Sequence, residues 1–110
     1  MNQLNSIILE GSIEKVEKVD DVINATISVK RFYKNAEGEM VEEVSYFDTE
    51  VYGQLAKHFE EKGKIGREIR LVGRLKQNRW TEGDKEFSKV FVVAEHIEFK
   101  YMANKSEKTA

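Results

Sequence analysis

REIRLVGRLKQNRWTEGDKEF, running from Arg67 to Phe87, opens as a β-strand. Ile69, Leu71 and Leu75 fall on one parity and Arg70, Arg74 and Lys76 on the other, and a strand sends alternate side chains to opposite faces. One face is apolar and the other cationic. The apolar residues then stop, while the chain continues through Arg79 and Trp80, the only tryptophan, into the turn-forming Thr81-Glu82-Gly83-Asp84. A tryptophan on a basic hairpin tip does not reach a core easily. Such a hairpin can follow a nucleic-acid backbone with its cations and offer a base a flat surface with its indole.

Charge distribution supports this more than total charge does. The formal net charge is −2, which taken alone argues against a general polyanion binder. From Arg67 to Arg79, however, five cations stand against the single anion Glu68, a local net of +4. The excess acid lies in Glu10 to Asp21 and Glu37 to Glu50. A dipolar surface of this kind steers an anionic partner to one side.

Working outward, LNSIILEGSI (residues 4–13) reads as a first strand, with Gly11 suiting a bulge or sharp bend, continuing through Val16 and Val19 to a turn at Asp20-Asp21. ATISVKRFY (25–33) alternates, with Ala25, Ile27 and Val29 on one side and Thr26, Ser28, Lys30 and Phe32 on the other. KNAEGEM (34–40) carries hairpin chemistry in Asn35 and Gly38. Val41 to Tyr52 is a third strand whose Phe47, Thr49 and Val51 oppose Tyr46, Asp48, Glu50 and Tyr52. QLAKHFEEK (54–62) fits a short helix with Leu55 and Phe59 at i and i+4 and glycines 63 and 66 beyond its end; it should plug one end of the sheet. EFSKVFVVAEHIEFKY (86–101) closes the fold as a fifth strand, apolar on both parities around Val90 to Val93 and so covered on both faces there.

Three strands, a helix and two strands are the order of a five-stranded OB-fold Greek-key barrel, an all-β fold with its one short helix between strands 3 and 4. The length of 110 residues holds one domain, expected over residues 1–101, followed by a short flexible polar tail, MANKSEKTA, over 102–110. There is no cysteine, which removes disulfides and thiolate metal sites. Met1-Asn2-Gln3 lacks the basic start of a secretory signal and no apolar run is long enough to span a bilayer, so a cytoplasmic, nucleoid-associated location is the expectation.

Catalytic constellations are missing. His58 lies on the helix and His96 in a β-rich run beside Glu95 and Glu98, and two distant histidines do not make a zinc site. Gly63-Lys64-Ile65-Gly66 lacks the spacing of a phosphate loop. The expectation is a protein that is not an enzyme and carries no metal or cofactor. What remains is a binding face. Phe32, Tyr46, Tyr52 and Trp80 are outward by alternation and are candidates for base stacking, with Lys30, Lys34, Arg70, Arg74, Lys76 and Arg79 as candidates for phosphate contacts.

An ordered set of segments resembles the bacterial single-stranded DNA-binding protein (SSB) family. It comprises NSIILEGSI, AEGEM followed by SYFDTEVYGQLAK, IGREIRLVGRL and NRWTEGDKEF, which together cover residues 4 to about 101. The resemblance implies an OB-fold that coats single-stranded DNA in replication, recombination and repair, assembled as a homotetramer. Its base-stacking positions fall on Phe32, Tyr46, Tyr52 and Trp80. This chain departs from the family in placing Asp48 and Glu50 on the DNA face, which opposes close backbone contact there. Phe32 and Tyr46 stand where tryptophans are common, which should weaken stacking. The sequence ends SEKTA, where the family carries a long tail and acidic tip, so tail-mediated repair and replication partners are not expected. The alternatives are a primosome-type or mobile-element OB-fold accessory protein, and an OB-fold protein-interaction module whose aromatic face meets another protein.

Overall fold

The chain turns where its residues allow it to. Asp20 adopts φ +54 between the first two strands, a conformation that aspartate tolerates better than most residues. Asn35 Oδ1 accepts the backbone N–H groups of Glu37 at 3.0 Å and Glu39 at 2.9 Å, shaping the second turn. Gly83, at φ +64, opens a two-residue turn that pairs Glu82 with Lys85, the hairpin geometry that favours glycine first. The computed structural model describes residues 1–100; Tyr101 and the polar tail expected over 102–110 lie outside the described residues.

The elements between these turns are β1 (Ile7–Val19), β2 (Val22–Lys34), β3 (Met40–Val51), α1 (Gly53–Lys62), β4 (Glu68–Glu82) and β5 (Lys85–Phe99). The expected order holds. The sheet closes on itself as β1-β2-β3-β5-β4, antiparallel throughout except where β3 meets β5 in parallel at Thr49–Val92 and Glu50–Val93. This is the five-stranded OB-fold barrel.

Closure requires β1 to bend so that it can pair with both β2 and β4. The bend is not at Gly11, as the sequence suggested, but at Glu14, the extra residue between Ile13 and Lys15. Gly11 does something else. A Cβ at this position would lie 2.1 Å from the backbone oxygen of Ser28, so glycine lets β1 and β2 approach. Gly73 plays the same part against β5, where a Cβ would stand 2.3 Å from the Val93 oxygen; beside it, Glu95 is the extra residue of a second bulge. Ser28 also departs from expectation. It is buried, its hydroxyl donating to Glu14 Oε2 at 2.7 Å, so the bulge residue supplies the acceptor that its burial requires.

Ile13, Ile23, Ile27, Val51, Ile69, Leu71 and Val92 fill the barrel, and Ala56 and Phe59 of α1 cover one end. Phe59 meets Phe99 edge to face, with ring centroids 5.8 Å apart. Phe91 to Ala94 are buried at four successive positions, so β5 is covered on both faces there, one residue later than its apolar run from Val90 predicts, since Val90 lies on the exposed arm. Beyond the barrel, β2–β3 and β4–β5 continue as arms, exposed from Lys30 to Lys34 and from Arg74 to Val90.

Candidate nucleic-acid interface

Strand register brings the outward residues onto one surface. Across β2 and β3, Thr26 stands opposite Asp48, the buried Ser28 opposite Tyr46 and Phe32 opposite Glu42, while the intervening Ala25, Ile27, Thr49 and Val51 point into the barrel. On the β4–β5 arm, Arg74, Lys76, Asn78 and Trp80 share a face with their partners Val93, Phe91, Lys89 and Phe87. The parallel contact Glu50–Val93 joins the two outer faces. Phe32, Tyr46, Tyr52 and Trp80 are 61%, 65%, 41% and 43% exposed on this surface, well beyond what a packed aromatic shows.

Two of the four rings are held in place. Trp80 lies nearly parallel to Phe87, with centroids 5.8 Å and planes 19° apart, and its indole N–H donates to Glu82 Oε2 at 3.2 Å. Phe87 backs one side of the indole and leaves the other available. The Tyr52 hydroxyl donates to the Glu50 carboxylate, which raises the phenol pKa above its usual value because ionisation would place two negative charges together.

The cations divide into two groups. Lys30 and Lys34 stand exposed on the outer side of the β2–β3 arm, and Lys76 lies with its ammonium 5.6 Å from the Phe91 ring centroid. Arg74 is on the same surface, 3.6 Å from Glu95. Arg70 is also outward, but sits at the β1–β4 seam between Glu10 at 2.5 Å and Glu98 at 3.7 Å. Arg79 projects from the opposite side of the arm from Trp80 and reaches Glu86 at 3.5 Å. The structure therefore brings Lys76 and Arg74 together with the aromatics, and does not bring Arg79.

A groove of about 430 Å³ runs across this surface, and every strand contributes to its walls: Lys15 from β1, Thr26 from β2, Asp48 and Glu50 from β3, Asn78 from β4 and Lys89 from β5. Lys89 Nζ lies 2.8 Å from Asp48 Oδ2, and the Thr26 hydroxyl donates to Oδ1 at 3.4 Å. The Lys89 ammonium holds the Asp48 carboxyl below its ordinary pKa. His58 and His96 are both exposed, and among the described residues no group of carboxylates and imidazoles is placed to hold a metal.

Residues 4–100 match the model of the single-strand binding protein family. The chain belongs to that family. A single-stranded DNA-binding protein of Aquifex aeolicus is 37% identical over 76 residues, covering 69% of this chain and 52% of the relative. One from Deinococcus radiodurans is 26% identical over 87 residues, covering 74% of this chain and 29% of its own length. The chain thus spans about half the length of the first of these relatives and less of the second. The fold is shared with a Plasmodium falciparum SSB solved in complex with ssDNA, at a TM-score of 0.78 and 17% identity over 92% of this chain and 98% of that one. A small single-stranded DNA-binding protein of Mycoplasma pneumoniae aligns at a TM-score of 0.64 and 23% identity, over 94% and 98% of the two chains.

Phe87, Lys89, Lys15 and Asn78 join this surface without standing out in the amino-acid pattern. The signal for three of them was present. A two-residue turn at Gly83-Asp84 places residue 80 opposite 87 and 78 opposite 89, so the backing ring and the groove lysine follow from the turn alone. Lys15 had no such signal, because the bulge at Glu14 changes which residues of β1 face outward.

Proposed function

We propose that this protein binds single-stranded DNA without reading its sequence, as a non-enzymatic member of the single-strand binding family. Bases stack on Trp80, Tyr52, Tyr46 and Phe32, while Lys30, Lys34, Arg74 and Lys76 neutralise phosphates along the rim. The observation that carries this reading is that four exposed aromatics, from β2, β3, the β3–α1 junction and the β4–β5 arm, share one outer surface with these cations. Every base has a π-face, so such a platform holds any single strand, whereas a duplex keeps its bases stacked inside. Arg70 and Arg79 play a smaller part, since Arg70 is held between Glu10 and Glu98 at the β1–β4 seam and Arg79 projects from the far side of the arm.

The proposal extends to the cellular role the family implies: protection of single strands in replication, recombination and repair, in the cytoplasm with the nucleoid. It extends also to self-assembly as a homotetramer. Such an assembly would cover Ile8, 67% exposed on β1, and Val90, 55% exposed on β5. Light scattering tests the assembly: a mass near four chains of 12.8 kDa agrees, and a monomer rejects it. Competition between labelled oligo-dT and a duplex of equal length tests the binding. Preference for the single strand by tenfold or more is expected, and equal affinity rejects the reading.

A further inference from the structure

Asp48 stands where it opposes the binding proposed above. It occupies the middle of the groove on β3, with Lys89 of β5 at 2.8 Å and Lys15 of β1 on the adjoining wall. Glu17 and Glu50 line the same groove, so phosphate entering it meets three carboxylates and two ammonium groups. Lys89 shares the outer face of the arm with Trp80, Asn78 and Lys76. Its ammonium would lie in line with the other rim cations were it not turned to Asp48.

We propose that Asp48 is an internal competitor of nucleic-acid phosphate for the Lys89 ammonium, and that this ion pair sets a ceiling on single-strand affinity and keeps binding readily reversible. The inference rests on the single-strand reading. A strand that reaches Lys89 must first displace the carboxylate; one that does not must pass a negative charge whose neutralisation by Lys89 is only local. Both side chains are more than half exposed, at 57% for Lys89 and 53% for Asp48, so the exchange needs no unfolding and costs little. The depressed Asp48 pKa accords with this, because the carboxylate stays ionised, and competes, throughout the physiological range. The neighbouring hydroxyl of Thr26 donates to the other carboxylate oxygen and keeps Asp48 aimed across the groove.

Asp48→Asn preserves the shape of the side chain and removes its charge, so the test compares it with the native full chain in oligo-dT titrations over a range of salt. The variant should bind about fivefold tighter at low salt, the scale of one exposed ion pair. Its log affinity should fall more steeply with log salt, by about 0.7, because one more cation releases a counterion. Lys89→Ala should then cost at least threefold more affinity in the Asp48→Asn background than in the native one, since only there is the ammonium fully given to phosphate. Unchanged or weaker binding by Asp48→Asn overturns the inference, as does an equal cost of Lys89→Ala in both backgrounds. If neither the native chain nor any variant binds oligo-dT, the single-strand reading itself falls.

Discussion

Trp80 and Phe87 face each other across the β4–β5 hairpin with ring planes 19° apart, and the Glu82 carboxylate accepts the indole N–H beside them. The tryptophan is thus held with one side backed and the other open, and a base meeting it finds a ring that has little freedom left to lose. Trp80→Ala should weaken oligo-dT binding by about 1–3 kcal/mol, the value of one stacked base. Its effect on folding should be about 1 kcal/mol, since only the pair with Phe87 and an exposed hydrogen bond to Glu82 are lost. Titration and urea denaturation of the same variant separate the two effects.

Phe59 is where stability and binding part company in the other direction. It is 1% exposed between the barrel and Phe99, and its loss leaves a cavity at the end that α1 closes. Phe59→Ala should destabilise the fold by about 3–5 kcal/mol in urea. Affinity per folded molecule should remain near native, because the proposed binding surface lies on the outside of β2, β3 and the arm, away from the Phe59 side chain.

Much of this architecture was legible in the sequence. Alternation sorted inside from outside in Ala25 to Val29 and in Thr49 to Val51, where one face of each strand is buried, and Asn35, Gly38 and Gly83 marked the turns; Phe47, on the inward parity, is 37% exposed. Legibility ended where burial ended. Past Leu75 neither face of β4 is covered, so the apolar pattern stops although the strand runs on to Glu82, and Arg79 was grouped with Trp80 although adjacent strand residues point apart. Ser28 was assigned outward because the carboxylate that satisfies it comes from a bulge that alternation does not reveal.

Gly11, whose residue type suits a bend, is instead a point of contact between β1 and β2. Gly11→Ala would drive a methyl group into the Ser28 carbonyl, and backbone at this position cannot yield as a flexible side chain does. The expected loss is about 1–3 kcal/mol, seen as a lower urea midpoint with an unchanged slope.

At the β1–β4 seam, hydrogen bonds from Lys100 and Arg70 hold the Glu10 carboxyl below its ordinary value of 4.5. A depressed folded-state pKa gives stability that is present above the unfolded value and is lost as pH falls through the folded one. The melting temperature should therefore decline below about pH 4.5, and Glu10→Gln should shrink that part of the decline while lowering the melting temperature slightly at neutral pH. Thermal melts of both proteins between pH 7 and 3 measure the difference.

Lys30, Lys34, Arg74 and Lys76 should leave their mark on salt dependence. Four phosphate contacts give a slope of log affinity against log salt of about −3 for a single strand. Replacing Lys76 by Ala should bring that slope toward zero by about 0.7, whereas Arg79→Ala, on the far side of the arm, should change it by much less.

The most direct measurement is a titration of the native chain with oligo-dT while following the fluorescence of Trp80, the only tryptophan. Bases stacked on the open side of the indole should quench it strongly and saturably, and added salt should reverse the signal. Binding without a change in Trp80 emission, or no binding at all, would contradict the account of this surface as a platform for single strands.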